Sequence, residues 1–396
     1  MYEHFCPYCM REVERETEVC PDCGSRLAVD TPSHHLPVGT VLKGGNGHLF
    51  LFGIVKGEGG FGLTYIGKEL NSGRLVAIKE YFPSRCQPQR LPDGSIRPQE
   101  RFEEIYAHGM QSFLSEASML RAVANLPSIV YVMDYFEANR TAYMVMEYLN
   151  GSTLQHVMQK QERIPADTLI SKFLPLMRDL ESLHKAGVLH RDIAPDNIMW
   201  MPDGSLKLLD FGCARSLEDG RSMTVVLKPG FAPIEQYQTR GQGPYTDLYA
   251  LCATIYYCIT GKIPPASPER LTTTFDNQPD SLIPPSALGV SLSPEQEQIL
   301  MWGLSLQPSV RPQNMETLAA RLEKASASQA EMAKVQNAGS QNIDSQNTAY
   351  QNEMINDSYP IDGSAASDNH GKNILSIAIA VVGAAIAAII ILLCIL

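Results

Sequence analysis

Two carboxylates and an amide stand at a spacing that suits phosphoryl transfer. In His190-Arg191-Asp192-Ile193-Ala194-Pro195-Asp196-Asn197, Asp192 can accept a hydroxyl proton. Asn197 can hold Mg²⁺ against nucleotide phosphates, together with Asp210 of Asp210-Phe211-Gly212, eighteen residues after Asp192. Either run alone is a common accident. The two in this order, downstream of a glycine-rich run and a strand lysine, are not.

Those upstream elements must position the chemistry. Gly57-Glu58-Gly59-Gly60-Phe61-Gly62 lies between the apolar stretches Leu49–Val55 and Leu63–Ile66. That predicts a hairpin whose glycine turn approaches phosphates closely, because no Cβ blocks the backbone. Val76-Ala77-Ile78-Lys79 follows as a short β-branched strand ending in a cation. From these residues the chain resembles the protein kinase family. The resemblance runs from about residue 49 to about residue 324 and covers about 70% of the chain.

The resemblance implies that Lys79 pairs the α- and β-phosphates of ATP and is held by a helix glutamate. Glu116, on a helix expected over Ser112–Val123 with Leu114, Ala117, Leu120 and Ala124 as its apolar stripe, is favoured over Glu103 and Glu104. It also implies that Tyr143–Tyr148 leads into the adenine site. Met146 would be the gatekeeper, Ala77 would line the site, and Glu147 and Leu149 would meet adenine through their backbone. Glu235, in Gly230-Phe231-Ala232-Pro233-Ile234-Glu235, should pair with Arg311, and Asp247 should brace the catalytic loop.

Two positions depart from the family pattern. Ala194 stands where serine/threonine members usually carry a lysine, and Lys228 stands where they usually carry a threonine. We expect Lys228 to supply the missing cation at the transferring phosphate. Arg191, beside the catalytic aspartate, would bind a phosphorylated Ser216, Ser222 or Thr224, with Thr224 preferred by position. Glu218 or Asp219 is the unmodified alternative.

The charge balance is acidic, 43 Asp and Glu against 32 Lys and Arg, which argues against a general nucleic-acid binder. The nine cysteines are not a disulfide framework. Cys6-Pro7-Tyr8-Cys9 and Cys20-Pro21-Asp22-Cys23, ten residues apart, can close a tetrahedral S₄ site and resemble a structural zinc ribbon, with a redox dithiol as the alternative. Seven acidic residues against three arginines in that segment favour a protein-recognition or regulatory role over nucleic-acid binding. His34 and His35 are expected to be solvated linker.

Residues 374–396 carry no charge, and twenty-three helical residues span about 34 Å, enough to cross a bilayer. A tail-anchored, single-pass protein of the cell membrane is expected, with the rest of the chain in the cytoplasm. Small residues at Ser376, Ala380, Ala384 and Ala388 permit helix packing and a homodimer.

The expected fold is α+β. Residues 1–30 form a zinc ribbon and 31–48 a linker, followed by a two-lobed kinase domain over 49–324 (small lobe 49–149, large lobe 150–324). Residues 325–373 form a flexible linker and 374–396 a transmembrane helix. Tyr81–Gly109 reads as an insertion, a hairpin around Pro92-Asp93-Gly94 and then a helix extension. The resemblance implies an ATP-dependent serine/threonine protein kinase using Mg²⁺, acting on protein substrates and phosphorylating itself. A membrane-anchored pseudokinase scaffold and a small-molecule kinase are the alternatives.

Overall fold

The glycine run lies at the tip of an antiparallel hairpin. In the computed structural model, which describes residues 4–123, 125–210, 215–216, 227–238, 241–275 and 278–329, β1 (Val41–Lys43) leads into β2 (Leu49–Gly59) and β3 (Gly62–Glu69). Gly59 faces Gly62 across a two-residue turn, Gly60-Phe61. The strands therefore run through the glycines instead of stopping at Val55 and Leu63, since ladder hydrogen bonds need no side chain. β4 (Leu75–Tyr81) follows. An insertion hairpin is formed by β5 (Gln89–Arg90) and β6 (Ile96–Arg97), and α1 (Glu103–Ala122), β7 (Val132–Ala138) and β8 (Thr141–Glu147) complete the lobe. The main sheet has the order β1-β2-β3-β4-β8-β7. The linker expected over 31–48 thus contributes an edge strand.

α1 begins nine residues before the expected Ser112. It buries Tyr106, Phe113, Glu116, Ala117 and Leu120, a stripe at helical spacing, and packs against β7 and β8. Glu103 and Glu104 lie exposed in its first turn, so of the three candidate glutamates Glu116 points inward.

The insertion is stapled to the sheet by charge. Arg90 donates from Nη2 to Glu80 Oε2 at 2.6 Å, and Glu80 also accepts from Tyr65 Oη at 2.8 Å and Tyr143 Oη at 2.7 Å. A buried carboxylate is tolerated here because its oxygens are satisfied. Arg90 further donates to the Gly94 carbonyl at 2.9 Å, which closes the hairpin, and to the His34 carbonyl at 2.9 Å.

The four-cysteine segment is docked on this lobe. It contains two similar turns. Met10 N–H bonds the Cys6 carbonyl at 2.8 Å, and Gly24 N–H bonds the Cys20 carbonyl at 2.9 Å; Met10 and Gly24 both take positive φ. Met10 packs with Leu51 and Ile66, Pro7 O accepts from Ile54 N at 3.0 Å, and Lys68 Nζ lies 4.4 Å from the Phe5 ring centre. Gly53 permits this approach. A Cβ there would meet Pro7 O at 2.5 Å and Met10 Sδ at 2.7 Å.

The large lobe comprises β9 (Ser152–Thr153), α2 (Leu154–Lys160), α3 (Ala166–Lys185), β10 (Val188–Leu189), β11 (Ile198–Trp200), β12 (Leu206–Leu208), β13 (Arg215–Ser216), α4 (Ile234–Tyr237), α5 (Pro244–Thr260), α6 (Ser267–Phe275), α7 (Pro294–Gly303) and α8 (315–329). α5 is buried almost all round, as its largely apolar sequence requires of a central helix. α8 buries Met315, Leu318, Leu322 and Ala325, so helix continues past the expected boundary at 324. Among the described residues no helix is long and apolar enough to cross a membrane. The apolar segment 374–396 and nearly all of the expected flexible linker lie outside them.

Candidate active site

The catalytic loop hangs on one buried carboxylate at the start of α5. Asp247 accepts from the backbone N–H of His190 at 2.8 Å and of Arg191 at 2.7 Å, and is bonded by His184 Nε2 at 2.8 Å. Burial alone would raise its pKa, but His184, His190 and the Arg191 amide outweigh it and hold Asp247 below the usual range. His190 bridges onward, with Nε2 donating to the Leu209 carbonyl at 2.8 Å and Nδ1 accepting from Asp192 N at 3.2 Å. Burial pushes its imidazole pKa down, which suits this neutral tautomer. Arg191 at φ 65° and Asp210 at φ 48° occupy the left-handed region, rare for such residues and a mark of functional loops.

Asp192, Asn197 and Lys228 converge. The short 3₁₀ turn Pro195–Asn197 returns the Asn197 amide to Asp192, donating from Nδ2 to its carbonyl at 2.7 Å and to Oδ2 at 2.8 Å. Both amide hydrogens are thereby used, which leaves Oδ1 as the atom to meet a cation. Lys228 Nζ lies 3.1 Å from Asp192 Oδ1 and 2.8 Å from Asp196 Oδ1. Ala194 is buried, and the ammonium reaches the aspartate from the loop before α4 instead. Burial pushes Asp192 upward, against pulls from Lys228, His190 and Asn197. Burial would lower the pKa of Lys228, but Asp192 and Asp196 hold it above its ordinary value.

Lys79, on β4, forms an ion pair with Asp210. Glu116 is buried beside them. Desolvation holds its carboxyl well above the usual range, Lys79 pulls it down and Asp210 pushes it up. The expected lysine–glutamate bracket is therefore a group of three, Lys79, Glu116 and Asp210.

The expected nucleotide wall is formed by Gly57, Glu58 and Gly59 on β2, the Gly60-Phe61 turn and Gly62 on β3. Ala77 and Met146 are cross-strand neighbours on β4 and β8. Glu147 ends β8, where its carboxylate accepts from Tyr131 N at 2.9 Å and pairs with Lys207; Leu149 follows, half-buried. Phe211, Gly212, Ser222 and Thr224 lie outside the described residues. Ser216 is placed by its backbone, opposite Val188.

A second buried charge pair fixes the loop that carries Lys228. Arg311 contacts Glu235 at 2.7 Å and 3.1 Å, and donates to the Ser305, Leu306 and Tyr245 carbonyls. Arg311→Ala strands the Glu235 charge and three carbonyls. It is expected to lower unfolding free energy by about 3–5 kcal/mol, as breaking a buried pair does. Denaturant titration checks this, and a loss under about 1 kcal/mol would contradict it.

Sequence reading did not find Asp196 as the second anchor of Lys228. Nor did it find Gln236, whose Nε2 donates to the Arg191 carbonyl at 2.7 Å. Asp196 stands within the run His190–Asn197, which is the signal for it; Gln236 carries none. His34 and His35, expected in solvent, instead face Glu58 of the glycine run at 3.2 Å and 3.5 Å. In the N-terminal segment the sulfurs of Cys6, Cys9, Cys20 and Cys23 lie within 4.8 Å of one another, with Cys6–Cys23 at 3.6 Å and Cys9–Cys20 at 3.7 Å. A tetrahedral ion with bonds of about 2.3 Å needs sulfur–sulfur edges of about 3.8 Å, so the cluster fits zinc.

The protein kinase domain family matches residues 54–322. The chain is 27% identical to the probable serine/threonine-protein kinase CPE1738 of Clostridium perfringens over 68% of its length and 37% of that protein's. It is 27% identical to the serine/threonine-protein kinase PknB of Mycobacterium leprae over 70% of its length and 43% of that protein's. The chain thus spans about two fifths of the curated relatives it matches. Among solved structures, the apo form of PpkA-294 is similar, with a TM-score of 0.62 and 35% identity, over 73% of this chain and 100% of the other.

Proposed function

This chain belongs to the protein kinase family, and we propose that it is an active kinase transferring the γ-phosphate of ATP to serine and threonine hydroxyls of proteins, itself included. The observation that carries this reading is the convergence of Lys228, Asp192 and Asn197, with Lys228 3.1 Å from Asp192. Asp192 orients the acceptor hydroxyl and takes its proton. Lys228 sits beside the base, where it can stabilise charge on the transferring phosphoryl group. Lys79 and the glycine strands position the nucleotide. Asn197 and Asp210 are the residues that would hold Mg²⁺, which neutralises phosphate charge when bound.

Incubation of the full chain with labelled ATP and Mg²⁺, followed by phosphoamino-acid analysis, is expected to yield phosphoserine and phosphothreonine. Label confined to phosphotyrosine, or to a small molecule, would overturn the reading. Lys228→Ala is expected to lower kcat about 10²-fold, the scale for losing one charge-stabilising donor. Its loss also removes a pull that lowers the Asp192 pKa, so the acid limb of the rate profile should move to higher pH. Unchanged kcat and an unmoved limb would remove Lys228 from the mechanism.

The same reading extends to the ends of the chain. Cys6, Cys9, Cys20 and Cys23 would hold a structural zinc, supported by their sulfur spacing. The segment 374–396 would anchor the chain in a membrane, with the kinase lobes on the ATP-bearing cytoplasmic side, supported by its uncharged composition. Small-residue spacing in that segment supports a homodimer that phosphorylates in trans.

A further inference from the structure

We infer that His34, His35 and Glu58 form a second metal site, for a divalent transition cation of the zinc type, bridging the N-terminal linker and the glycine run. Neighbouring residues in extended chain point to opposite sides. Here a turn, closed by His35 N–H to the Pro32 carbonyl at 2.9 Å, brings both rings to one side, with centres 4.3 Å apart. His34 Nε2 stands 3.2 Å from Glu58 Oε1, and His35 Nε2 stands 3.5 Å from Oε2. The three ligand atoms lie within 4.8 Å of one another. A tetrahedral zinc with nitrogen and oxygen bonds of about 2.1 Å needs edges of about 3.4 Å, and each histidine nitrogen already stands near that distance from the carboxylate oxygen facing it. Two imidazoles and a carboxylate suit zinc and leave a fourth position for water.

The ligands are held from behind. The His34 carbonyl accepts from Arg90 Nε at 2.9 Å, and Leu36 N–H donates to Tyr65 Oη at 3.0 Å. Arg90 and Tyr65 both bond the buried Glu80, so the turn rests on the polar network of the sheet. The His35 side chain is only 13% exposed, so little of its freedom is left to lose on binding. The Glu58 side chain is 56% exposed, so the site is open to solvent ions.

The consequence concerns the nucleotide loop. The Gly60 carbonyl at its tip is already held by Ser84 N–H at 3.1 Å. An ion at Glu58 would fasten its other arm to the segment that follows the cysteine module. Binding of the ion stands without the kinase reading; its influence on ATP rests on that reading.

Native mass spectrometry and calorimetry with zinc alone, on the full-length chain in mild detergent, test the site. Two ions per chain are expected, one thiolate-bound. His34→Ala/His35→Ala and, separately, Glu58→Gln should each retain the first ion and weaken the second by about tenfold or more, the scale for damage at a metal site. One ion in the parent chain, or a second ion bound equally well by the variants, would overturn the site. A second ion lost with the histidines but kept in Glu58→Gln would overturn the bridge to the glycine run. Because these readouts do not use phosphoryl transfer, a chain that binds the ion but never labels a hydroxyl would fail the kinase reading alone.

Discussion

Asp192→Asn is expected to lower phosphoryl transfer by about 10²–10⁴-fold, the range a positioned general base supplies, while ATP affinity stays near that of the parent. The neutral amide cannot take the hydroxyl proton. It also fits poorly electrostatically, because both neighbours are donors: Asn197 Nδ2 at 2.8 Å and Lys228 Nζ at 3.1 Å. An asparagine can offer its single oxygen to one of them and must turn its own N–H groups toward the other. Nucleotide contacts are expected at Lys79, Asp210 and the glycine strands, which this substitution leaves in place. In the parent chain burial holds the Asp192 carboxyl above its ordinary value. Its base form is therefore lost as pH falls through that raised value, and the acid limb should begin at higher pH than for an exposed aspartate. Steady-state rates across pH, with calorimetric ATP binding, check all three points.

Lys79→Ala is the second large effect. It is expected to lower kcat/KM by about 10²–10³-fold, the scale for deleting one preorganised donor to developing charge. Nucleotide affinity should fall with it. Stability should change little. Truncation of Lys79 leaves Glu116 without its cation, but desolvation already pushes that carboxyl well above its usual range, so protonation relieves the buried charge. Asp210 loses the Lys79 ammonium, yet its side chain is 47% exposed and keeps access to water. This contrasts with Arg311→Ala, where Glu235 is 4% exposed and stays stranded. Thermal melts of the two variants should separate them, with Lys79→Ala folded and inactive and Arg311→Ala destabilised. A Lys79→Ala melt depressed as far as that of Arg311→Ala would show that the lysine is structural.

The kinase lobes were legible because their chemistry sits in short contiguous runs. Asp192, Asn197 and Asp210 are ordered by local turns and by one brace, Asp247, itself visible in sequence. The Glu235–Arg311 pairing followed from the family pattern, across 76 residues. Less legible was whatever depends on tertiary approach. The Lys79–Asp210 pair spans 131 residues. Burial raises the Glu116 carboxyl against the pull of the lysine, and helical periodicity alone does not report that. Gly53 reads as an ordinary strand glycine until the Pro7 carbonyl is seen against it. His34 and His35 carry no periodic signal, and only the fold brings them to Glu58. The linker's edge strand, β1, is three residues long and too short to give a pattern.

The central claim is that this constellation performs phosphoryl transfer and does not merely bind nucleotide. The measurement that tests it most directly follows transfer of labelled γ-phosphate from ATP to hydroxyls by the full chain with Mg²⁺, beside Asp192→Asn, with ATP affinity measured for both. Transfer by the parent, near-complete loss in the variant and similar affinities are expected. Nucleotide binding by both chains with no transfer by either, or transfer that survives in Asp192→Asn, would contradict it.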